Sequence, residues 1–335
     1  MNKFNYGSIF AAHMNSFIDM KNACGYDALR TKWILLVFDR FFIAEGVQDL
    51  HIRKDHLEKW RETRINDCVR TLHKKYSVWS QFCRYLCHIG MACYIPRLPK
   101  EPVCGFTPYI FTREQMENTF RACDGLRLYD RHMHVNILVI PSMIRLLYST
   151  GLRISEALSI KNEDVDFAGG VILIKKTKNG EQRLAPLTES MTEVLHEYIT
   201  KRNKIPVADV EKPGSFLFVS LTGKPCTAGS IYKWFRKILK TCNIPHIGNH
   251  HGPRVHDLRH TSAIHAMTKM CEDGSDLYCA LPLLSVFIGH KSISATEQYV
   301  RLTAEMYPHL INRQKEQGSY VLPVSQLKIN DNGNY

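Results

Sequence analysis

Apolar residues recur at helical spacing through the first stretch of the chain. Ile34, Leu35, Phe38, Phe41 and Phe42 mark one stripe, and Val69, Leu72, Tyr76, Trp79, Phe82, Cys83 and Leu86 mark a longer one that stops at Gly90. Between them, His51–Arg64 reads as a basic stretch of helix and loop. Pro96, Pro99, Pro102, Gly105 and Pro108 then crowd together, a composition that breaks both helix and sheet. The pattern therefore predicts a helical domain over residues 1–105 and a linker at about 96–108.

A second domain, 106–314, opens at Thr112, where Gln115 three residues on completes a capping box. A helix is expected over about 136–150. The β signal is confined to Val171–Ile174 and Arg183–Leu187, joined across Asn179-Gly180, the dipeptide of a tight type I′ hairpin turn. From there to Gln314 the pattern is helical, and residues 315–335 read as an extended tail. The expected fold class is mainly α with a small antiparallel β-sheet: a helical N-terminal domain followed by a mixed α/β domain.

Charge adds a class of partner to this outline. The 335 residues carry 44 Lys and Arg against 32 Asp and Glu, a formal charge of +12. Each domain holds half of the excess, which favours a polyanion that both can face. The helix expected at 228–242 shows how: Ile231, Trp234, Phe235, Ile238 and Leu239 form an apolar stripe, and Lys233, Arg236, Lys237 and Lys240 form a cationic one with no acid interrupting it. Phosphate contact is the reading preferred for that row over a merely solvated face.

Several classes are disfavoured. Apolar runs such as Trp33–Phe38 are far shorter than the roughly 20 residues that span a bilayer, and Met1–Phe10 lacks the apolar core of a secretory signal. A cytoplasmic protein with no membrane partner is expected. Eleven cysteines occur without a C-x-x-C pair, so they read as reduced, mostly buried thiols. His246, His250, His251, His256, His260 and His265 lie close in sequence, but no H-E-x-x-H pair makes a zinc site of them, and His260 reads better as a buried hydrogen-bonding histidine. No glycine-rich phosphate loop is present, and no metal or cofactor is expected.

Chemistry is carried by short segments. Thr150-Gly151-Leu152-Arg153-Ile154-Ser155-Glu156-Ala157-Leu158 puts an arginine after a glycine break. Val255-His256-Asp257-Leu258-Arg259-His260-Thr261, if helical, puts His256 and Arg259 on one face with Leu258 toward the core. Gly289-His290-Lys291 precedes Ser294-Ala295-Thr296-Glu297, a capping-box start, with Tyr299 in the first turns of the helix that follows.

The ordered set G-L-R-x-x-E-x-L, a hairpin lysine, H-x-L-R-H, G-H and a tyrosine nine residues on resembles the tyrosine recombinases, the phage-integrase family of DNA strand-exchange enzymes. It extends over roughly 107–310; the first hundred residues fit the family's core-binding domain by position. The wording around Thr296–Thr303 is similar to recombinases of mobile elements that encode several such enzymes in tandem. One departure is expected: Arg259 to Gly289, including Cys271–Tyr278, looks longer than in compact members and reads as an extended loop.

The resemblance implies roles. Tyr299 is the nucleophile that forms a 3′-phosphotyrosyl bond, so rejoining needs no ATP. Arg153 and Arg259 clamp the non-bridging phosphate oxygens, a task for planar forks that stay protonated. His256 is the acid/base histidine and His290 a hydrogen-bond donor to phosphate. The leaving-oxygen acid falls on Lys178, with Lys175 and Lys176 as alternatives, and Glu156 orients Arg153 from behind. The family further implies a C-shaped clamp on double-stranded DNA and a homo-tetramer on two recombination sites, with sister recombinases among the candidate partners and the tail docking on a neighbouring protomer. Trp33, Trp60 and Trp79 are assigned to the first domain's core rather than to base stacking. A catalytically silent DNA-binding accessory protein and a single-site topoisomerase of similar chemistry are the rival readings.

Overall fold

The computed structural model describes residues 4–100, 107–126, 136–175, 177, 180–246, 252–290 and 292–307. The chain divides into two compact units, Met1–Phe106 and Thr107–Tyr335.

In the first unit, α1 (Ala11–Ala23), α2 (Leu29–Ala44), α3 (Lys54–Glu62) and α4 (Val69–His88) enclose an aromatic core. Trp60 and Trp79 are fully buried, their rings 5.2 Å apart, and Phe38 meets both edge-on. Such rings dominate burial energetics because each removes so much apolar area from water. The Asp39 carboxylate, buried in α2, accepts the backbone N–H groups of Gly7 and Ser8 and ties the N-terminal segment to the core. Trp33 departs from the expectation: it is 44% exposed on α2, its ring meeting Phe4 edge-on. It lies off the stripe that Ile34, Leu35 and Phe38 turn inward.

In the second unit, α5 (Arg113–Asp124) starts with the capping box read from sequence: the Thr112 hydroxyl accepts from Gln115 N–H, and Gln115 Oε1 accepts from Thr112 N–H. Next come α6 (Ile140–Thr150), with Pro141 tolerated in its first turn, and the short α7 (Ile154–Ala157). A 3₁₀ turn (Asn162–Asp164) leads into β1 (Val165–Asp166), β2 (Val171–Ile174) and β3 (Arg183–Pro186), an antiparallel sheet in the order β1-β2-β3. Helices α8 (Glu189–Arg202), α9 (Ala228–Thr241), α10 (Val255–Glu272), α11 (Leu277–Ile288) and α12 (Ser294–Met306) follow. Among the described residues, no helix is long and apolar enough to cross a membrane.

Four local expectations are refined or corrected. Among the described residues, pairing of β2 with β3 ends at Ile174 opposite Arg183, short of the turn expected at Asn179-Gly180, of which Asn179 lies outside the described residues; Gly180 N–H donates to the Thr177 carbonyl and the Thr177 hydroxyl to the Glu181 carbonyl. The segment before Gly289 is no extended loop: only 273–276 separate α10 from α11, and the Asp276 carboxylate caps α11 by accepting from the N–H groups of Tyr278 and Cys279. Helix α12 has Ile293 at its N-cap, so it starts one residue ahead of the cap expected at Ser294. Finally, Cys83, Cys123, Cys226 and Cys271 are buried, but Cys24, Cys68 and Cys279 are exposed, because they fall at helix ends and first turns rather than on inward faces. The tail 315–335 lies outside the described residues.

Candidate active site

Two glycines shape the site. Gly151 closes α6 at φ +60° and Gly289 closes α11 at φ +66°, both in the left-handed region where a Cβ is strained. Each turn exposes helix-end carbonyls that have no partner within their own helix. Arg259, reaching from the first turns of α10, donates to the Gly151 and Ile288 carbonyls at those two ends. The residue is 2% exposed. Burial pushes its pKa down to about 10, helped by Arg153, so it stays charged at neutral pH.

Arg153 stands at the N-cap of α7 and turns back onto Glu156. Its backbone N–H donates to Glu156 Oε2 at 3.0 Å and its Nη1 to Oε1 at 2.7 Å. Glu156 is fully buried, and it also accepts from Arg183 Nη2 at 3.3 Å. Burial works to raise the carboxyl pKa, but the hydrogen bonds from Arg153 and the charges of Arg153 and Arg183 outweigh it and hold it below the usual range. One carboxylate thus sits among three guanidiniums, which leaves the group positive and suited to an anion.

Arg183 had no role in the sequence reading. It leads β3, and its Nη1 donates to the Phe287 carbonyl at 2.8 Å, which links the sheet to the end of α11. The sequence carries no signal for it: alternation would turn Leu184 inward, whereas in the strand Leu184 is 59% exposed and Arg183 shares the inward face with fully buried Ala185. An added Cβ on Gly289 would lie 2.5 Å from Arg183 Nε, so this glycine is also required for space.

Two histidines, His260 and His290, flank the tyrosine, and a third, His256, packs behind His260. Tyr299, on α12, is 1% exposed, and its hydroxyl lies 2.9 Å from Nδ1 of His260, itself buried. The His290 ring stacks against that of Tyr299 at 6.1 Å, and its Nδ1 is 3.0 Å from the Thr296 hydroxyl. His256 is solvent-exposed as a residue, but its ring is packed into the group, edge-on to His260 at 5.0 Å. Desolvation, then His260 and Arg259, hold its pKa below the usual imidazole range. Burial and the neighbouring arginines hold His260 and His290 down to about 4, so both rings are neutral at pH 7. Burial pushes the Tyr299 phenol up to about 12, against the pull of Arg259 and Arg153.

Arg153, Glu156, His256, Arg259, His290 and Tyr299 are therefore brought together within the second unit. Lys178 and Lys176 fall outside the described residues. Lys175 is held at the sheet by Asp164 (2.7 Å) and Glu163 (3.2 Å). On α9, Lys233, Arg236 and Lys240 are exposed and Lys237 is half-buried, its ammonium 5.3 Å from the Trp234 ring centre, while the apolar stripe is buried. His265, another of the clustered histidines, takes a tyrosine partner, its Nδ1 lying 2.8 Å from the Tyr148 hydroxyl.

Comparison with known proteins agrees in sequence and in fold. Residues 110–306 match the model of the phage integrase family. The Sinorhizobium fredii protein y4rB, named as an integrase/recombinase, is 26% identical over 316 residues, covering 91% of this chain and 97% of that one. The tyrosine recombinase XerC of Bacillus licheniformis is 27% identical over 283 residues, 80% and 83% of the two chains. In fold, the chain is similar to the XerH site-specific recombinase in a post-cleavage complex with difH substrate, with a TM-score of 0.62, 20% identity and coverage of 85% and 79%. The family match spans more than half of the chain and takes in every residue of the arginine, histidine and tyrosine group. The chain belongs to the phage integrase family, the tyrosine recombinases, which cut and rejoin DNA strands.

Proposed function

We propose that this chain is a site-specific recombinase that cuts and rejoins duplex DNA through a 3′-phosphotyrosyl intermediate, in the service of integration or excision of a mobile element. The observation that carries the reading is the placement of Tyr299 beside a group of arginines, one buried and two half-buried, that holds more positive charge than its one carboxylate neutralises. Breaking a phosphodiester without a metal requires a nucleophile, stabilisation of charge on the phosphorane-like transition state and an acid for the departing 5′ oxygen. Tyr299 supplies the nucleophile. Arg153 and Arg259 hold the non-bridging oxygens, Glu156 fixes Arg153, and His290 donates to the phosphate. His256 serves as the acid/base histidine, and Lys178 is the proposed leaving-group acid; the carboxylates on Lys175 favour Lys178 over it. Lys233, Arg236, Lys237 and Lys240 on α9 are proposed backbone contacts. Two DNA sites bridged by a homo-tetramer, with the tail 315–335 passed to a neighbouring protomer, complete the proposal.

The test is covalent capture. The protein is mixed with a library of nicked duplexes of randomised sequence, denatured, and the DNA bound to protein recovered and sequenced. The expected result is an adduct with a defined consensus, lost in Tyr299→Phe. Failure of the wild type to form an adduct with any duplex would favour the silent accessory protein. Adducts without joining of two captured sites would favour the single-site topoisomerase.

A further inference from the structure

We infer that His260 accepts the phenolic proton of Tyr299 as the strand is cut and returns it as the strand is rejoined, an assignment that rests on Tyr299 being the nucleophile. Among the described residues, the hydrogen-bond partner of the Tyr299 hydroxyl is His260 Nδ1, at 2.9 Å. That distance lies within the reach required of a general base. The contact is structurally committed: α10 packs against both α11 and α12, and His260 and Tyr299 are each buried. His256 sits one turn earlier on α10 and meets His260 rather than the phenol, which leaves it free to act at the phosphate or to pass a proton outward.

A neutral imidazole has one N–H and one lone pair. With the Nε2–H tautomer, the Nδ1 lone pair accepts the phenol O–H. Burial and the nearby Arg259, Arg254 and His290 keep this ring neutral in the resting state, so the lone pair is present. With burial pushing the phenol up and the imidazole down, transfer in advance of attack is strongly unfavourable. The proton therefore moves as the bond to phosphorus forms. Tyr299 Oη attacks phosphorus, the Oη–P bond forms as P–O5′ breaks, the 5′ oxygen takes its proton from the leaving-group acid, and the Oη proton goes to Nδ1 to make an imidazolium. Entry of the phosphate anion stabilises that imidazolium among the arginines. Rejoining reverses each transfer.

The test uses the full chain and duplexes recovered by covalent capture, made with either oxygen or sulfur at the 5′ bridging position. Sulfur leaves without an acid, so it isolates the nucleophile's side of the reaction. In His260→Asn the side-chain oxygen still accepts the phenol O–H but takes no proton at neutral pH. Adduct formation should slow by about 10²-fold or more on both duplexes, and a Lys178→Ala defect should be rescued by sulfur. A His260→Asn loss under threefold, or one rescued by sulfur, overturns the assignment. A measurement on the wild type stands apart from folding of the variant and from DNA: nitrogen-15 shifts of His260 should show Nδ1 unprotonated at pH 7, and a protonated Nδ1 overturns the assignment alone. Failure of the wild type to form any adduct removes Tyr299 as nucleophile and this inference with it.

Discussion

Trp60 and Trp79 in the first unit and Glu156 and Arg259 in the second are equally hidden from water, at 0%, 1%, 0% and 2% exposure, yet they are kept there by different physics. The tryptophans are buried because their removal from water is favourable in itself. The carboxylate and guanidinium are buried against a desolvation cost, and remain only because Arg153, Arg183 and two helix-end carbonyls meet their charges. A core of the first kind rests on close packing and is insensitive to pH; one of the second kind rests on each polar partner in turn and is brittle to the loss of any one of them and to acid. That brittleness accompanies a charge ready for an anion.

The largest effect should come from breaking the ionic group on one side. Glu156→Ala leaves Arg153 and Arg183 without their shared carboxylate and should cost about 3–5 kcal/mol in urea unfolding, with loss of adduct formation. A stable variant would mean that water or relaxed arginines replace the carboxylate. Trp60→Ala should cost a similar ~3–5 kcal/mol through its cavity, but with the same deficit at pH 8 and pH 5; a deficit that changes with pH would erase the contrast. Acid alone should separate the two kinds of core. His260 and His290 are neutral in the fold down to about 4, whereas unfolded histidines bind protons from about 6.5. Stability from these groups is thus full above pH 6.5 and falls as pH drops toward 4, and Glu156, whose folded pKa is lowered, adds a loss at more acid pH in the same direction. Hydrogen exchange should show α10 and α12 opening before α2 and α4. The smallest change is Gly289→Ala, about 1–2 kcal/mol from the left-handed backbone, with a larger loss of adduct formation because the new Cβ displaces Arg183. Unchanged cleavage would show that Arg183 does not position Glu156.

How much of this was legible in the sequence follows from what each contact is made of. The stripes of α2, α4 and α9 and the capping box at Thr112 depend on neighbours three or four residues away, so spacing reveals them. The gathering of Arg153, His256, Arg259, His290 and Tyr299 was legible only as an ordered set of motifs, since the partners are far apart in the chain. Helix α11 escaped because its segment is apolar on nearly every side, with Leu283 and Val286 exposed and Pro282 inside, so no stripe defines it. Strand β1, two residues long, has no periodicity to read. The His260–Tyr299 contact joins residues 39 apart in sequence on two different helices, and no local rule pairs them.

The carbonyls that hold Arg259 belong to Gly151 and Ile288, at the ends of α6 and α11. A carboxylate in that place would have spent the arginine's charge on an ion pair; a helix C-terminus offers only the partial negative charge of its dipole, so nearly the whole positive charge remains for an arriving phosphate. The anchor also has no side chain to mutate. A survey by alanine substitution would find Arg259 and miss what steadies it, and redesign of this site would have to act on helix length and on the two glycine turns rather than on any partner residue.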